Sequence, residues 1–304
     1  MNTTRRTFLK HTSLALAGTS LFAGKLSAET MAKTYVGIQL YSIREDMKKD
    51  PQGTLKQLAA MGYKYVEHAN YVDHKFYGFE AAAFKKILDD LGLKMRSGHT
   101  VMGKQHWDAA KNDFTDSWKK TVTDAAIVGQ KYVISPSLEG DLRKTYDAIK
   151  AYMDVFNKSG ELCKKSGMKF GYHNHDFEFK ETLNNKKVFD IIMESTDPKL
   201  VAQQLDIGNM YGGGGRPLEV LQKYPGRFEL LHVKDEIKSE AKDAMSGYES
   251  TILGKGIIET KKVIDLARKQ GTTDFIIEQE SYQGKTPIDS AKEDLEIMKK
   301  WGYK

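Results

Sequence analysis

The chain of 304 residues contains one cysteine, Cys163, and six prolines. A single cysteine cannot close an internal disulfide, and it excludes a cysteine-rich zinc module. The sequence also lacks any run of about eighteen apolar residues, the length that a helix needs to cross a bilayer. We therefore expect no stable membrane anchor in the mature protein. With 40% hydrophobic and 29% charged residues, the composition is typical of a folded globular protein.

Basic residues are in small excess, and much of that excess lies at the amino terminus. The net charge is +6, but residues 1–28 contain four basic residues and no acidic one. The remaining 276 residues carry 43 basic and 41 acidic side chains. A nucleic-acid-binding domain concentrates positive charge on its folded surface. The charge balance therefore predicts no nucleic-acid partner.

The first 28 residues have the layout of an export signal. Arg5 and Arg6 form a basic head, residues 13–24 are weakly apolar, and Ala28 offers a small residue before a cut. The paired arginines resemble a twin-arginine signal, and an ordinary amphipathic helix is the alternative interpretation. We expect a signal peptide over residues 1–28, cleavage near Ala28 and a periplasmic mature protein over residues 29–304.

Short runs of β-branched and aromatic residues alternate with helical patterns along the mature chain. The eight runs cover residues 35–41, 63–68, 93–99, 132–136, 168–173, 201–206, 228–233 and 274–278. Glycines, which mark helix ends, stand just before six of these runs, at Gly62, Gly92, Gly129, Gly167, Gly226 and Gly271. Such alternation implies parallel strand pairing and predicts a single-domain α/β fold, the (β/α)8 TIM barrel. A doubly wound open sheet is the alternative, but residues 39–44 lack its glycine-rich turn.

Polar side chains stand at the carboxyl ends of the predicted strands, where the active site of such a barrel lies. Asp206, His232 and Glu278 each follow a mostly apolar run, and strand alternation lets all three point inward. Two carboxylates and an imidazole form a mixed oxygen and nitrogen site for one divalent ion: Mn²⁺, Mg²⁺, Co²⁺ or Zn²⁺. The alternative is that each is a lone polar residue satisfied by hydrogen bonds.

Further strand ends and one loop offer candidate substrate contacts. Glu67, His99 and Lys234 are candidates for holding substrate hydroxyls, although each could equally make a hydrogen bond at the barrel rim. The glycine-rich segment 212–215 lacks the Lys-Ser/Thr of a phosphate loop. We interpret it as a flexible rim loop in which Arg216 can contact substrate.

Five motifs together resemble the sugar phosphate isomerase/epimerase family of the xylose-isomerase-like barrel superfamily. They are residues 37–44, 171–179, 204–208, 231–235 and 277–280. The resemblance implies one divalent metal held by Glu, Asp, His and Glu from the last four strands, and Asp206, His232 and Glu278 match the last three. The fifth strand departs from the family pattern, because it carries His173-Asn174-His175.

Two residues near the fifth strand are candidates for the fourth ligand. Either His173 takes the vacant position, or Glu178 reaches in through a bulge or turn. We favour Glu178, because a carboxylate keeps the charge of the site. His173 and His175 are then free for proton transfer, with Glu278 on the other side of the substrate carbonyl.

The resemblance implies a metal-dependent sugar isomerase or epimerase that abstracts a proton beside a carbonyl through a metal-stabilised enediolate. The alternative is a dehydratase, lyase or hydrolase on keto-sugars such as 3-keto-glycosides. A non-catalytic sugar-binding protein and an AP-endonuclease-like enzyme are less favoured. The endonuclease needs more metal ligands, and Asn209 stands where one would be wanted. The expected partner is a small carbohydrate, and a homo-oligomer is possible.

Overall fold

The computed structural model describes residues 33–241 and 246–304, so the predicted signal peptide lies outside the described residues. Eight parallel strands close into a barrel in which each strand pairs with the strands before and after it in the chain, and the last pairs with the first. The strands are β1 (Tyr35–Gln39), β2 (Tyr65–His68), β3 (Lys94–His99), β4 (Tyr132–Ser135), β5 (Lys169–His173), β6 (Val201–Asp206), β7 (Phe228–Val233) and β8 (Asp274–Ile277). The predicted TIM barrel is confirmed, with every strand boundary within two residues of its expected place.

Helices surround the barrel and connect consecutive strands. They are α1 (Arg44–Lys49), α2 (Pro51–Met61), α3 (Ala81–Asp90), α4 (Asp116–Val128), α5 (Tyr146–Lys164), α6 (Phe177–Lys180), α7 (Val188–Ser195), α8 (Ile207–Gly212), α9 (Pro217–Lys223), α10 (Thr260–Lys269) and α11 (Pro287–Lys300). Gly62 and Gly129 cap α2 and α4 with φ of 101° and 92°, the left-handed conformation that glycine adopts without steric cost. None of the helices within the described residues is long and apolar enough to cross a membrane.

The loops that follow several barrel strands contain short two-stranded antiparallel sheets. They pair Tyr71–Val72 with Lys75–Phe76, Trp107–Asp108 with Asp113–Phe114, Thr182–Leu183 with Lys186–Lys187, and Asp235–Lys238 with Tyr248–Thr251. Three of the connections also contain a turn of 3₁₀ helix, at Leu40–Ile43, Lys104–His106 and Gly140–Arg143.

The barrel interior changes from apolar to polar along the strands. Inside the barrel, Tyr132, Ile134, Ala202, Leu230 and Ile276 form a small apolar cluster. Because side chains alternate along a strand, the inward positions that follow Ala202 on β6 are residues 204 and 206. These are Gln204 and Asp206, and both are buried. The apolar cluster thus supports a polar layer at the carboxyl ends of the strands.

Candidate metal centre and catalytic cavity

Four buried side chains from adjacent strands converge at the carboxyl end of the barrel. His173 ends β5, Asp206 ends β6, His232 lies near the end of β7, and Glu278 directly follows β8. Each offers a nitrogen or oxygen atom within 4.8 Å of the others. Asp206 and His232 are register partners, whereas Glu278 lies two residues beyond Ile276, the partner of His232. We refer to these four residues as the ligand group.

The donor atoms of the ligand group fit a divalent ion. Asp206 Oδ1 accepts a hydrogen bond of 2.7 Å from the backbone N–H of Asn209, at the start of α8. Its other oxygen, Oδ2, is buried and has no hydrogen-bond partner among the described residues, although Lys234 Nζ lies 3.2 Å away. A buried carboxylate oxygen without a partner is costly unless it binds a cation. Two carboxylates and two imidazoles suit Zn²⁺ or Mn²⁺.

The charges around the ligand group also favour a cation. Lys234 is fully buried, and its ammonium lies 3.0 Å from Glu278 Oε2 and 2.6 Å from Glu280 Oε1. Burial opposes the charged form of His232, but the carboxylates of Glu278 and Glu67 outweigh it and raise the pKa of the imidazole well above its usual range. The carboxylates of Glu67, Asp206, Glu278 and Glu280 still outnumber these two cations. The site therefore holds an excess of negative charge that a divalent ion would neutralise.

A second layer of polar side chains lies against the ligand group from inside the barrel. Glu67 Oε1 accepts hydrogen bonds from Gln39 Nε2 at 2.8 Å and from His232 Nε2 at 2.5 Å. Gln204 Nε2 donates to Glu67 Oε2 at 2.8 Å, and Gln204 Oε1 lies 2.7 Å from His99 Nε2 and 3.0 Å from His173 Nδ1. Glu67 and His99, two of the predicted substrate contacts, are thus linked to this layer.

The fourth member of the ligand group is His173 and not Glu178, the residue that we favour from the sequence. Strand β5 ends at His173, and the chain turns into the short helix α6, which carries Glu178 in its first turn. There the Glu178 carboxylate accepts the backbone N–H of His175 at 2.9 Å and the hydroxyl of Tyr172 at 2.5 Å. Burial raises its pKa to about 7. Glu178 is therefore placed apart from the ligand group and holds the turn that follows β5.

A cavity of about 320 Å³ opens beside the ligand group. Its lining residues are Tyr41, Ala69, His99, Pro136, His173, His175, Asn209, Glu278 and Glu280. His175 Nδ1 is buried and has no hydrogen-bond partner among the described residues. Burial lowers the pKa of His175, so its imidazole is neutral and able to accept a proton. The rings of His173 and His175 lie 5.2 Å apart, so the predicted pair does meet at one place.

The remaining predicted contacts have different surroundings. Lys234 is buried behind the cavity in its ion pairs with Glu278 and Glu280. Arg216 is exposed, its guanidinium lies 4.4 Å from the ring of Tyr211, and it does not line the cavity. In this structure Arg216 thus lies outside the site that the other candidates form.

The site also contains buried amide side chains that are not among the residues predicted from the sequence. Asn174 Oδ1 accepts the backbone N–H of Asp206 at 2.9 Å, and its Nδ2 donates to the carbonyl of Asp206 at 3.1 Å. Asn174 therefore joins the ends of β5 and β6 and fixes their spacing. Gln204 is two residues before Asp206, and that alternation was the available signal for its inward position.

Comparison of the sequence with known proteins identifies the family of this chain. The sequence pattern of the xylose isomerase-like TIM barrel family matches residues 55–301. The chain belongs to this family. The inosose dehydratase of Clostridium beijerinckii is 26% identical over 244 residues, which cover 73% of this chain and 79% of that protein. The inosose dehydratase of Geobacillus kaustophilus is 27% identical over 153 residues, 50% of this chain, and that match spans only 41% of the relative's length.

Solved structures with this barrel fold match most of the chain. A sugar phosphate isomerase/epimerase from Parabacteroides distasonis has a TM-score of 0.73 and 25% identity, and the match covers 89% of this chain and 95% of that one. The IolI protein with a binding zinc atom has a TM-score of 0.68 and 13% identity, covering 88% and 97% of the two chains. At that identity the second match shows the fold alone.

Proposed function

We propose that this chain is a metal-dependent dehydratase that removes water from a small keto-sugar or keto-polyol. The observation that carries the proposal is the position of His175 in the wall of the cavity beside the ligand group. A neutral imidazole next to a cation site suits removal of a proton from the carbon beside a carbonyl. The inosose dehydratase relatives fit this alternative better than the isomerase or epimerase expected from the sequence.

Two residues of the cavity supply the proton transfer and the substrate contacts. His175 takes the proton from the carbon beside the carbonyl, and the electrons of that C–H bond form a C=C bond to the next carbon. The C–O bond on that next carbon breaks, and the imidazolium returns its proton to the departing hydroxide, so that water leaves. Glu280, held by Lys234 at 2.6 Å, lines the same cavity and accepts hydrogen bonds from substrate hydroxyls.

The ligand group would hold the metal. A divalent ion bound by His173, Asp206, His232 and Glu278 would supply polarisation of the substrate carbonyl and stabilisation of the negative charge on its oxygen. The cavity of about 320 Å³ is at the small end of ligand pockets, which agrees with a substrate of monosaccharide size.

The mass of the product in D₂O tests the proposal. Mn²⁺-loaded protein is incubated with an inosose and, separately, with a 3-keto-glucoside. A dehydratase yields a product lighter by one water molecule. The control is Asp206→Asn, which keeps a side-chain oxygen for the Asn209 N–H but removes a charged ligand, and it should be inactive. Unchanged mass with no deuterium uptake from either compound would contradict the proposal.

Isomerisation or epimerisation is the second candidate. It is favoured by the likeness to the Parabacteroides distasonis structure, and it would use the same proton abstraction by His175. The same experiment separates the two reactions, because an isomerase or epimerase returns a product that keeps its water and gains one deuterium.

A further inference from the structure

Three buried side chains form a hydrogen-bonded support beneath the ligand group. They are Gln39, Glu67 and Gln204, from β1, β2 and β6, and we call them the supporting layer. Each of them is at most 1% exposed, so water does not compete for their hydrogen bonds. Their donors and acceptors can therefore be assigned one after another.

The assignment of donors and acceptors begins with the backbone N–H of Tyr41, which fixes the orientation of the Gln39 amide. This N–H donates to Gln39 Oε1 at 3.1 Å, so the amide group of Gln39 must donate to Glu67 Oε1, 2.8 Å away. Glu67 Oε1 also lies 2.5 Å from His232 Nε2 and 3.2 Å from His99 Nε2, so nitrogen atoms that can donate hydrogen bonds surround it. A carboxylate in such surroundings accepts hydrogen bonds and donates none. Gln204 must then donate its NH₂ to Glu67 Oε2, which leaves Gln204 Oε1 as an acceptor.

The second step fixes the proton on His173. Because Gln204 Oε1 is an acceptor, His173 Nδ1, at 3.0 Å, must carry the proton. Its other nitrogen, Nε2, then has a free lone pair, and this atom lies 3.8 Å from Asp206 Oδ2. Such a separation is too long for a hydrogen bond, but it suits two ligands of one ion.

Glu67 accepts a hydrogen bond from one ring nitrogen of His232, as Gln204 does from one ring nitrogen of His173. The Nε2 of His232 lies 2.5 Å from Glu67 Oε1 and donates to it, while Nδ1 faces Asp206 Oδ2 at 3.7 Å and Glu278 Oε2 at 2.8 Å. Binding of a metal through Nδ1 would require that His232 lose its Nδ1 proton, and the hydrogen bond from Nε2–H to Glu67 would then set the tautomer and the ring orientation.

We infer that Gln204 is a positioning residue that holds His173 in the Nδ1–H tautomer and so aims its Nε2 lone pair at the metal. A side-chain amide suits this position, because its NH₂ donates to Glu67 while its oxygen accepts from an imidazole. This inference rests on the metal centre of the proposed function. It goes beyond that proposal by naming what prepares the fourth ligand, at the position where the family pattern has a carboxylate.

The test determines which ring nitrogen of His173 carries the proton. It compares the effects of replacing Gln204 and Gln203, two glutamines of β6. Nitrogen-15 NMR of the metal-free protein reports which imidazole nitrogen carries the proton, and His173→Gln assigns the signals. Gln204→Met keeps the side-chain length without the hydrogen bonds. Gln203→Met is the matched control, because Gln203 is equally buried but its Nε2 contacts Thr196 Oγ1 on the other face of β6. Competition with a chelator gives the Zn²⁺ affinity of each protein.

Wild type and Gln203→Met should show His173 protonated at Nδ1. Gln204→Met should show a mixture of tautomers and bind Zn²⁺ about 10–100-fold more weakly, the usual effect of losing a hydrogen-bond partner of a metal ligand. A wild-type His173 protonated at Nε2 would overturn the inference, and so would equal Zn²⁺ affinity of the two methionine variants. A wild type with the expected tautomer that binds no Zn²⁺ would instead contradict the proposed function and support the assignment of Gln204.

Discussion

His173 and His175 are two residues apart, and their neighbours give them different chemistry. Both of the ring nitrogens of His173 face other groups of the site, Gln204 on one side and Asp206 on the other. His175 lies beyond the end of β5, lines the cavity, and keeps a buried nitrogen without a partner among the described residues. These surroundings support the proposed roles of His173 as a metal ligand and of His175 as the base.

His175→Gln should therefore lower turnover about 10²–10⁴-fold, the usual contribution of a positioned acid–base group. Metal content should stay at the wild-type level, because His175 is outside the ligand group. Steady-state kinetics and metal analysis of the purified variant check the two expectations together. Full activity in this variant would exclude His175 as the base, and loss of metal would make it a ligand.

Asp294, a buried residue on α11, should make the free energy of unfolding depend on pH. Its Oδ1 accepts the backbone N–H of Leu253 at 2.9 Å, its Oδ2 has no hydrogen-bond partner in the described part of the chain, and burial raises its pKa to about 7. A carboxyl group with a raised folded-state pKa favours folding below its unfolded pKa, near 4, and that advantage is lost as pH rises to about 7.

Asp294→Asn should remove this pH dependence. Relative to wild type, the variant should gain about 2 kcal/mol in the free energy of unfolding when the pH is raised from 5 to 8. Urea unfolding at the two pH values measures the gain. Glu296→Gln, which changes an exposed carboxylate on the same helix, is the control and should show no such gain. Equal changes in both variants would show that Asp294 is not the group responsible.

At the scale of elements, the strands were predictable and the turn after β5 was not. Apolar runs, glycines before strands and alternation located all eight strands, because these are local properties of the sequence. The preference for Glu178 as a ligand assumed that the chain after His173 brings that carboxylate inward. The four-residue helix α6 turns it onto the backbone of His175 instead. Both partners of Glu178, Tyr172 and His175, lie within six residues of it, but strand alternation does not describe the turn that brings them together.

The packing of β3 against β2 depends on a residue without a side chain. A Cβ at Gly98 would lie 2.0 Å from the ring of His68, which is buried. Gly98→Ala should lower the free energy of unfolding by about 1–3 kcal/mol, the usual cost of overpacking. Gly140→Ala is the control, since a Cβ there meets nothing within 4 Å. Chemical denaturation of both variants measures the difference, and equal stabilities would contradict the packing argument.

At the scale of the whole molecule, export remains a prediction from the sequence. We propose that residues 1–28 direct a folded, metal-loaded enzyme to the periplasm, because Arg5 and Arg6 precede an apolar stretch without acidic residues. Changing both arginines to lysine should leave uncleaved precursor in the cytoplasm, as fractionation and immunoblotting would show. Normal export of that variant would contradict a twin-arginine signal.

Anomalous diffraction from a crystal soaked in Zn²⁺ would show whether the barrel holds one divalent ion between its last four strands. We expect a single strong peak about 2.0–2.3 Å from His173 Nε2, Asp206 Oδ2, His232 Nδ1 and Glu278. A peak at Glu178, or no peak among these four residues at a saturating zinc concentration, would contradict it.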